Sequence, residues 1–240
     1  MAETAVLTFH HLYHVVSTYV RANYKALAGF AGINFLFIAL LFLGLGGVGS
    51  LWFLLWGVCY YLFHFAFFRW YFNRRPYLFT LKFFDTLLPA LKVMFMLLLG
   101  LTLLAYLPYL PLLFGGSSET LRNVVTAFIG SFMGESNGYN IFISLILLLL
   151  APIIAYRPLL GWVAAVIGRS GSFRNVFKHT SGYYKLFLKI IAVFYLLLGC
   201  LAGIDSCLGL GQLLLYLGSA PFIVLFEVVL AKTYEILILD

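Results

Sequence analysis

The chain has 240 residues, 64% of them apolar and only 10% charged, with a formal net charge of +7. Soluble proteins carry about 25% charged residues, which excludes an ordinary soluble domain, and the apolar runs lack the alternation that a transmembrane barrel requires. The basic excess reads as a positive-inside signal and as attraction to anionic lipid head groups. It does not read as nucleic-acid binding, because no compact basic domain is present.

Residues 4–24 open the chain. Apolar Leu7, Leu12, Val15, Val16, Tyr19 and Val20 recur with His11, His14, Thr18 and Arg21 between them. This pattern predicts an amphipathic helix lying in the cytoplasmic interface. No small-residue cleavage pattern follows at a suitable distance, so the segment does not read as a signal peptide. A first span is predicted at about 26–45, then a tight turn at Gly46–Ser50 and a second span at about 51–68. The second span is dense in aromatics, and Trp70 and Tyr71 beside Arg69, Arg74 and Arg75 form a belt with basic anchors.

Pro76 ends that helix. Residues 77–88 predict a second interfacial helix, and a third span is expected at about 89–107. Residues 115–140 are the largest polar segment, with a short helix at about 118–132. A fourth span follows at about 141–156, with Pro152 as a kink. The stretch 156–199 then carries Arg157, Arg169, Arg174, Lys178, Lys185 and Lys189 and no acid. It predicts a short helix at about 172–179 and the fifth span at about 183–204. An outer turn is expected at Asp205–Gln212, and the sixth span, containing Pro221, at about 213–232.

The fold class is therefore all-α: a polytopic transmembrane bundle of six spans with cytoplasmic interfacial helices, forming a single membrane domain over 1–240. Charge orients it. Fourteen of the fifteen Lys and Arg fall on one side or at its membrane ends, and only Arg122 falls on the other. Short basic segments stay cytoplasmic, so both termini are expected inside. Tyr24-Lys25 before the first span matches Tyr184-Lys185 before the fifth, which suggests a repeated unit of interfacial helix plus hairpin.

Three stretches carry a family resemblance. They are TYVRANYKALAGF, GRSGSFRNVFKHTSGYYKLFLKIIAVFYLLLG, and SAPFIVLFEVVLAKTYEIL. Together they resemble bacterial six-helix inner-membrane families of unknown function, which are similar to the membrane domain of glycerophosphodiester phosphodiesterases. The resemblance implies a membrane-integral module. It implies no chemistry and no site residues, because the phosphodiesterase catalytic domain has no counterpart in this chain.

Few residues carry candidate chemistry. His10 and His14 share a helix face at i, i+4 with His11 beside them, the spacing of a metal pair, but no acid completes a ligand set. They remain weak metal candidates, and no metal or other cofactor is expected. His64 falls within the second span, where a hydrogen bond to a neighbouring helix is expected. Glu227 falls within the sixth span, and an ionisable residue inside a span is a functional hypothesis by default. Its expected partner is Lys189, at similar depth on the fifth span. Asp85 with Lys82 reads as a surface pair. Cys200 and Cys207, near the outer face, have the chemistry for a disulfide. No catalytic constellation, P-loop or dinucleotide motif is present. The expected role is a non-enzymatic scaffold or accessory factor in envelope or lipid homeostasis, with membrane lipids and a membrane-protein partner. The alternative is a small transporter or channel using Glu227 in a helix-lined path.

Overall fold

The computed structural model describes residues 7–44, 50–72, 86–95, 149–150, 152–168, 173–209 and 213–239. All secondary structure among them is helical. Helix α1, Phe9–Gly44, starts where Thr8 caps it: the Thr8 Oγ1 accepts the His11 N–H at 3.2 Å. Asn23 interrupts α1 with φ −116° and ψ 17°, and its side-chain amide donates to the Tyr19 carbonyl at 3.0 Å. A short amide side chain that bonds to nearby backbone competes with the helix ladder. The break falls at the boundary expected between residues 4–24 and the first span.

Helix α2, Ser50–Tyr71, packs antiparallel to α1. Aromatic rings set the register. Phe37 meets Tyr60 at 5.6 Å and Phe30 meets Phe67 edge-on at 5.0 Å. Aromatic pairs in these geometries contribute about 0.5–1.5 kcal/mol beyond area burial. Helix α3, Thr86–Phe95, buries Ala90 and Val93.

Pro152 begins a π-helical turn, Pro152–Tyr156, that runs directly into helix α4, Arg157–Val166. The expected kink is thus a wide turn of helix followed by a new one. Pro158 lies in the first turn of α4. Within α4, Leu160, Trp162, Val163, Ala164 and Val166 are buried. Gly168 ends this helix at φ 75°, a left-handed position that glycine adopts without strain. Helix α5, Phe173–His179, and a 3₁₀ turn, Ser181–Tyr183, lead into helix α6, Tyr184–Leu208.

Helix α6 extends past the expected end of the fifth span. Asp205, placed by its sequence context in an outer turn, lies inside α6 and is buried. Its Oδ1 accepts the N–H groups of Leu214 and Leu215 at 2.5 and 3.3 Å, which open helix α7, Leu213–Tyr234. One carboxylate thus caps the next helix and closes the hairpin. The chain reverses at Gly209, φ 65°. Lower down, a Cβ on Gly218 of α7 would lie 2.9 Å from a Leu201 methyl, so α6 and α7 approach closely because residue 218 is glycine. Cys200 and Cys207 are free and exposed. Both lie on α6, and a separation of seven residues along one helix puts their Cα atoms about 10 Å apart, beyond disulfide reach.

The chain ends in a π-helical segment, Glu235–Leu239. Helix α7 is the centre of the assembly: it packs along α1 most extensively, then α6, and also against α4 and α2. Among the described residues three helical stretches are long and apolar enough to cross a membrane: Phe9–Leu40, Ser181–Leu208 and Leu213–Leu239. The greater parts of the expected third span and of the fourth, and the outer segment 115–140, lie outside the described residues.

The Asp205 cap is testable. Asp205→Ala should lower stability by about 1 kcal/mol, within the usual 0.5–2 for a lost cap. Asp205→Asn, which keeps an acceptor, should lose only a few tenths. Thermal unfolding in detergent micelles compares them, and equal losses would refute the cap.

Candidate functional site

Helix α7 presents Glu227 to helix α2 and not to α6. The Glu227 Oε1 lies 2.5 Å from the His64 Nδ1, and only 5% of Glu227 is exposed. His64 is in turn held between aromatic edges, with the Tyr60 ring at 4.3 Å and the Phe63 ring at 5.3 Å, both near perpendicular. The arrangement follows from helix geometry. Tyr60 and His64 are one turn apart on one face of α2, so both reach the same side of the interface. A carboxylate buried beside an imidazole holds either an ion pair or a neutral pair that shares one proton. The second oxygen, Oε2, is buried and makes no hydrogen bond.

The expected pairing of Glu227 with Lys189 is corrected. Lys189 is exposed on α6 and makes no ion pair among the described residues. Lys189 stays exposed, while Glu227 is turned toward α2. His64 supplies the partner.

Two further polar sets sit along α7. Glu235 Oε2 accepts from the Lys232 ammonium at 2.7 Å and from the Tyr71 hydroxyl at 3.2 Å. The Lys232 ammonium lies 5.0 Å from the Tyr19 ring and 5.6 Å from the Tyr71 ring, so one cation joins α1, α2 and α7 through two π faces and a carboxylate. Tyr156 and Thr233 exchange a buried hydroxyl–hydroxyl bond of 3.0 Å, and Thr233 also donates to the Val229 carbonyl at 2.7 Å. Near the other end, the Asn34 amide donates to the Ala220 carbonyl beside Pro221 at 3.1 Å, with the Asn34 Oδ1 left unbonded.

Arg69 is buried on α2. Its guanidinium donates to the Val166 carbonyl at the end of α4, 3.0 Å away, where a helix terminus favours positive charge. Trp162 of α4 donates its indole N–H to the Tyr61 hydroxyl at 3.1 Å. The Arg157 guanidinium sits 5.0 Å from the Phe177 ring, and partial burial lowers its pKa from the ordinary arginine value. Sequence reasoning read Arg69 and Tyr71 only as belt residues and missed the partners of Lys232. The i, i+3 spacing of Lys232 and Glu235 was the available signal.

His10, His11 and His14 are exposed on the first turns of α1. Among the described residues no three His, Cys, Asp or Glu side chains come together as a metal site. The chain has no match among known protein families, curated proteins or solved structures.

The His64–Glu227 pair predicts a coupled energetic signature. Removing either partner alone, as His64→Ala or Glu227→Ala, should cost on the order of 3–5 kcal/mol, because the other polar group stays buried. The double replacement should cost less than the sum by about 0.5–3 kcal/mol. Lys189→Ala should stay within about 0.5 kcal/mol of the parent. Denaturant titration of the parent and these four variants in micelles measures this, and additive losses would sink the pairing.

Proposed function

We propose that the chain is a six-span bacterial inner-membrane protein with both termini cytoplasmic, acting as a non-enzymatic scaffold or accessory factor in envelope or lipid homeostasis. One observation carries the reading. The helices turn large apolar side chains outward, among them Leu36, Leu55, Leu91, Leu196 and Ile204, while Asn34, Arg69, Asp205, Glu227 and Thr233 are buried between them. That distribution suits a hydrocarbon surround, in which polar groups must find partners on neighbouring helices. The break at Asn23 supports a separate interfacial helix before the first span, lying with its His10, His11 and His14 side toward water. The six-span layout that resembles other inner-membrane families belongs to the same proposal, as do anionic lipid contacts at the basic cytoplasmic segments and a membrane-protein partner.

The scaffold reading is supported by where the polar groups are spent. Glu227 closes on His64, Glu235 on Lys232 and Tyr71, and Asp205 on the start of α7. Each is a contact between or within helices. A transporter is the second reading, and the unbonded Oε2 of Glu227 favours it, since such groups mark ion and substrate routes.

Two measurements test these readings. Reporter fusions after Arg75, after Arg174 and at Asp240 should read cytoplasmic, and fusions near Ser117 should read outside. An outside signal at Arg174 would overturn the orientation. Proteoliposomes holding the parent chain or Glu227→Gln should show the same background solute and proton flux. Flux that the substitution abolishes would replace the scaffold with the transporter.

A further inference from the structure

An apolar groove of about 320 Å³ runs between the first half of α1 and the faces of α6 and α7. Leu12, Val16, Ile190, Phe194, Leu225 and Val229 line it, and Ser17 and Tyr13 are its only hydroxyl-bearing residues. The Ser17 hydroxyl is already committed to the His14 carbonyl at 2.9 Å. The volume lies in the range of ligand sites, about 300–1,000 Å³.

The dimensions select the occupant. The groove follows α1 from Phe9 to Val20, a length of about 16 Å at 1.5 Å per residue. The lining is apolar throughout except for the Ser17 and Tyr13 hydroxyls. Carbon chains pack at about 3.5–4.0 Å, so one extended hydrocarbon chain fills such a trough.

Charge selects the head group. Lys189 lies one and two turns before Val193 and Leu197 on the same face of α6, and both of those residues line the groove. Lys189 is exposed and adjoins Ile190, which lines the groove. The described carboxylates are Asp205, Glu227 and Glu235, and all three are engaged elsewhere. An anion at Lys189 therefore has to come from outside the described fold. We propose that the groove binds one acyl chain of an anionic phospholipid, with Lys189 holding the phosphate-bearing head group. The inference rests on the membrane reading above and deepens its lipid contact into a site.

The test uses the full chain in nanodiscs of equal phosphatidylglycerol and phosphatidylethanolamine. Trace amounts of either lipid carry a photoreactive diazirine in the acyl chain, and labelled peptides are located by mass spectrometry. Peptides spanning 9–20 and 190–197 should be labelled, with the phosphatidylglycerol probe favoured by about fivefold, the scale of one basic residue near a membrane surface. Lys189→Gln should bring the two probes to parity while labelling persists. Val193→Trp, at a position already 39% exposed, should fill the groove and remove labelling by both probes. Parity in the parent chain, or a preference unchanged in Lys189→Gln, overturns the head-group assignment. Labelling that survives Val193→Trp, or crosslinks from these peptides to another polypeptide, overturns the acyl site. A chain that never partitions into membranes fails the membrane reading instead, and the two failures are distinguished by fractionation alone.

Discussion

A carboxylate on an apolar helix has few places to go. Glu227 lies among Val224, Val228, Val229, Leu230 and Ala231, all of them buried. An unpaired charge there costs about 2.5–3.5 kcal/mol on insertion scales and more in simulations. The cost is offset only if a polar group on another helix reaches the same point. His64 does so, and this requires α2 to pack against α7 at one rotation and one depth. The pair therefore selects an arrangement of helices more than it strengthens one, consistent with the view that buried polar pairs confer specificity.

The same logic repeats along α7 and explains why so many elements converge on it. At its start, Asp205 of α6 satisfies the free N–H groups. Near Pro221, the Asn34 amide of α1 reaches the Ala220 carbonyl. Past Glu227, Thr233 meets Tyr156 just ahead of α4, and Lys232 with Glu235 gathers Tyr19 and Tyr71. Apolar packing holds these helices together but slides and rotates at low cost, since lipid tails offer similar contacts. Polar contacts at successive depths remove that freedom.

Much of this was legible before any coordinates. The helical class, the bounds of α5 and the start of α7 follow from run length, small-residue punctuation and turn residues. The break at Asn23 follows from an Asn placed where the amphipathic pattern gives way to a continuous apolar run. Three things were not legible. Composition does not report which side chains of a short apolar helix turn inward, so the burial of Leu160, Trp162, Val163, Ala164 and Val166 on α4 came only from the structure. A carboxylate at a helix end reads as a turn residue, yet Asp205 sits inside α6 because a neighbouring helix start rewards it. Pro152 marks a kink, but nothing in composition distinguishes the π-helical turn at Pro152–Tyr156 from a simple bend.

The error over Lys189 has a specific cause, and it bears on how membrane bundles use charge. Sequence position gives depth in an antiparallel hairpin, and the contact of Asp205 with Leu214 sets Lys189 level with residues near Glu227. Depth alone made the pair attractive. Rotation decides contact, and on a helix apolar on every side no pattern reports rotation. Energetics breaks the tie. A lysine a few residues inside the end of a span extends its flexible stem to the interface and keeps its hydration. A glutamate has a short stem and cannot reach as far. The long cation therefore stays exposed, and the short anion goes inward to an imidazole. Opposite charges on adjacent helices need not meet, and here Lys189 stays exposed while Glu227 is buried beside His64.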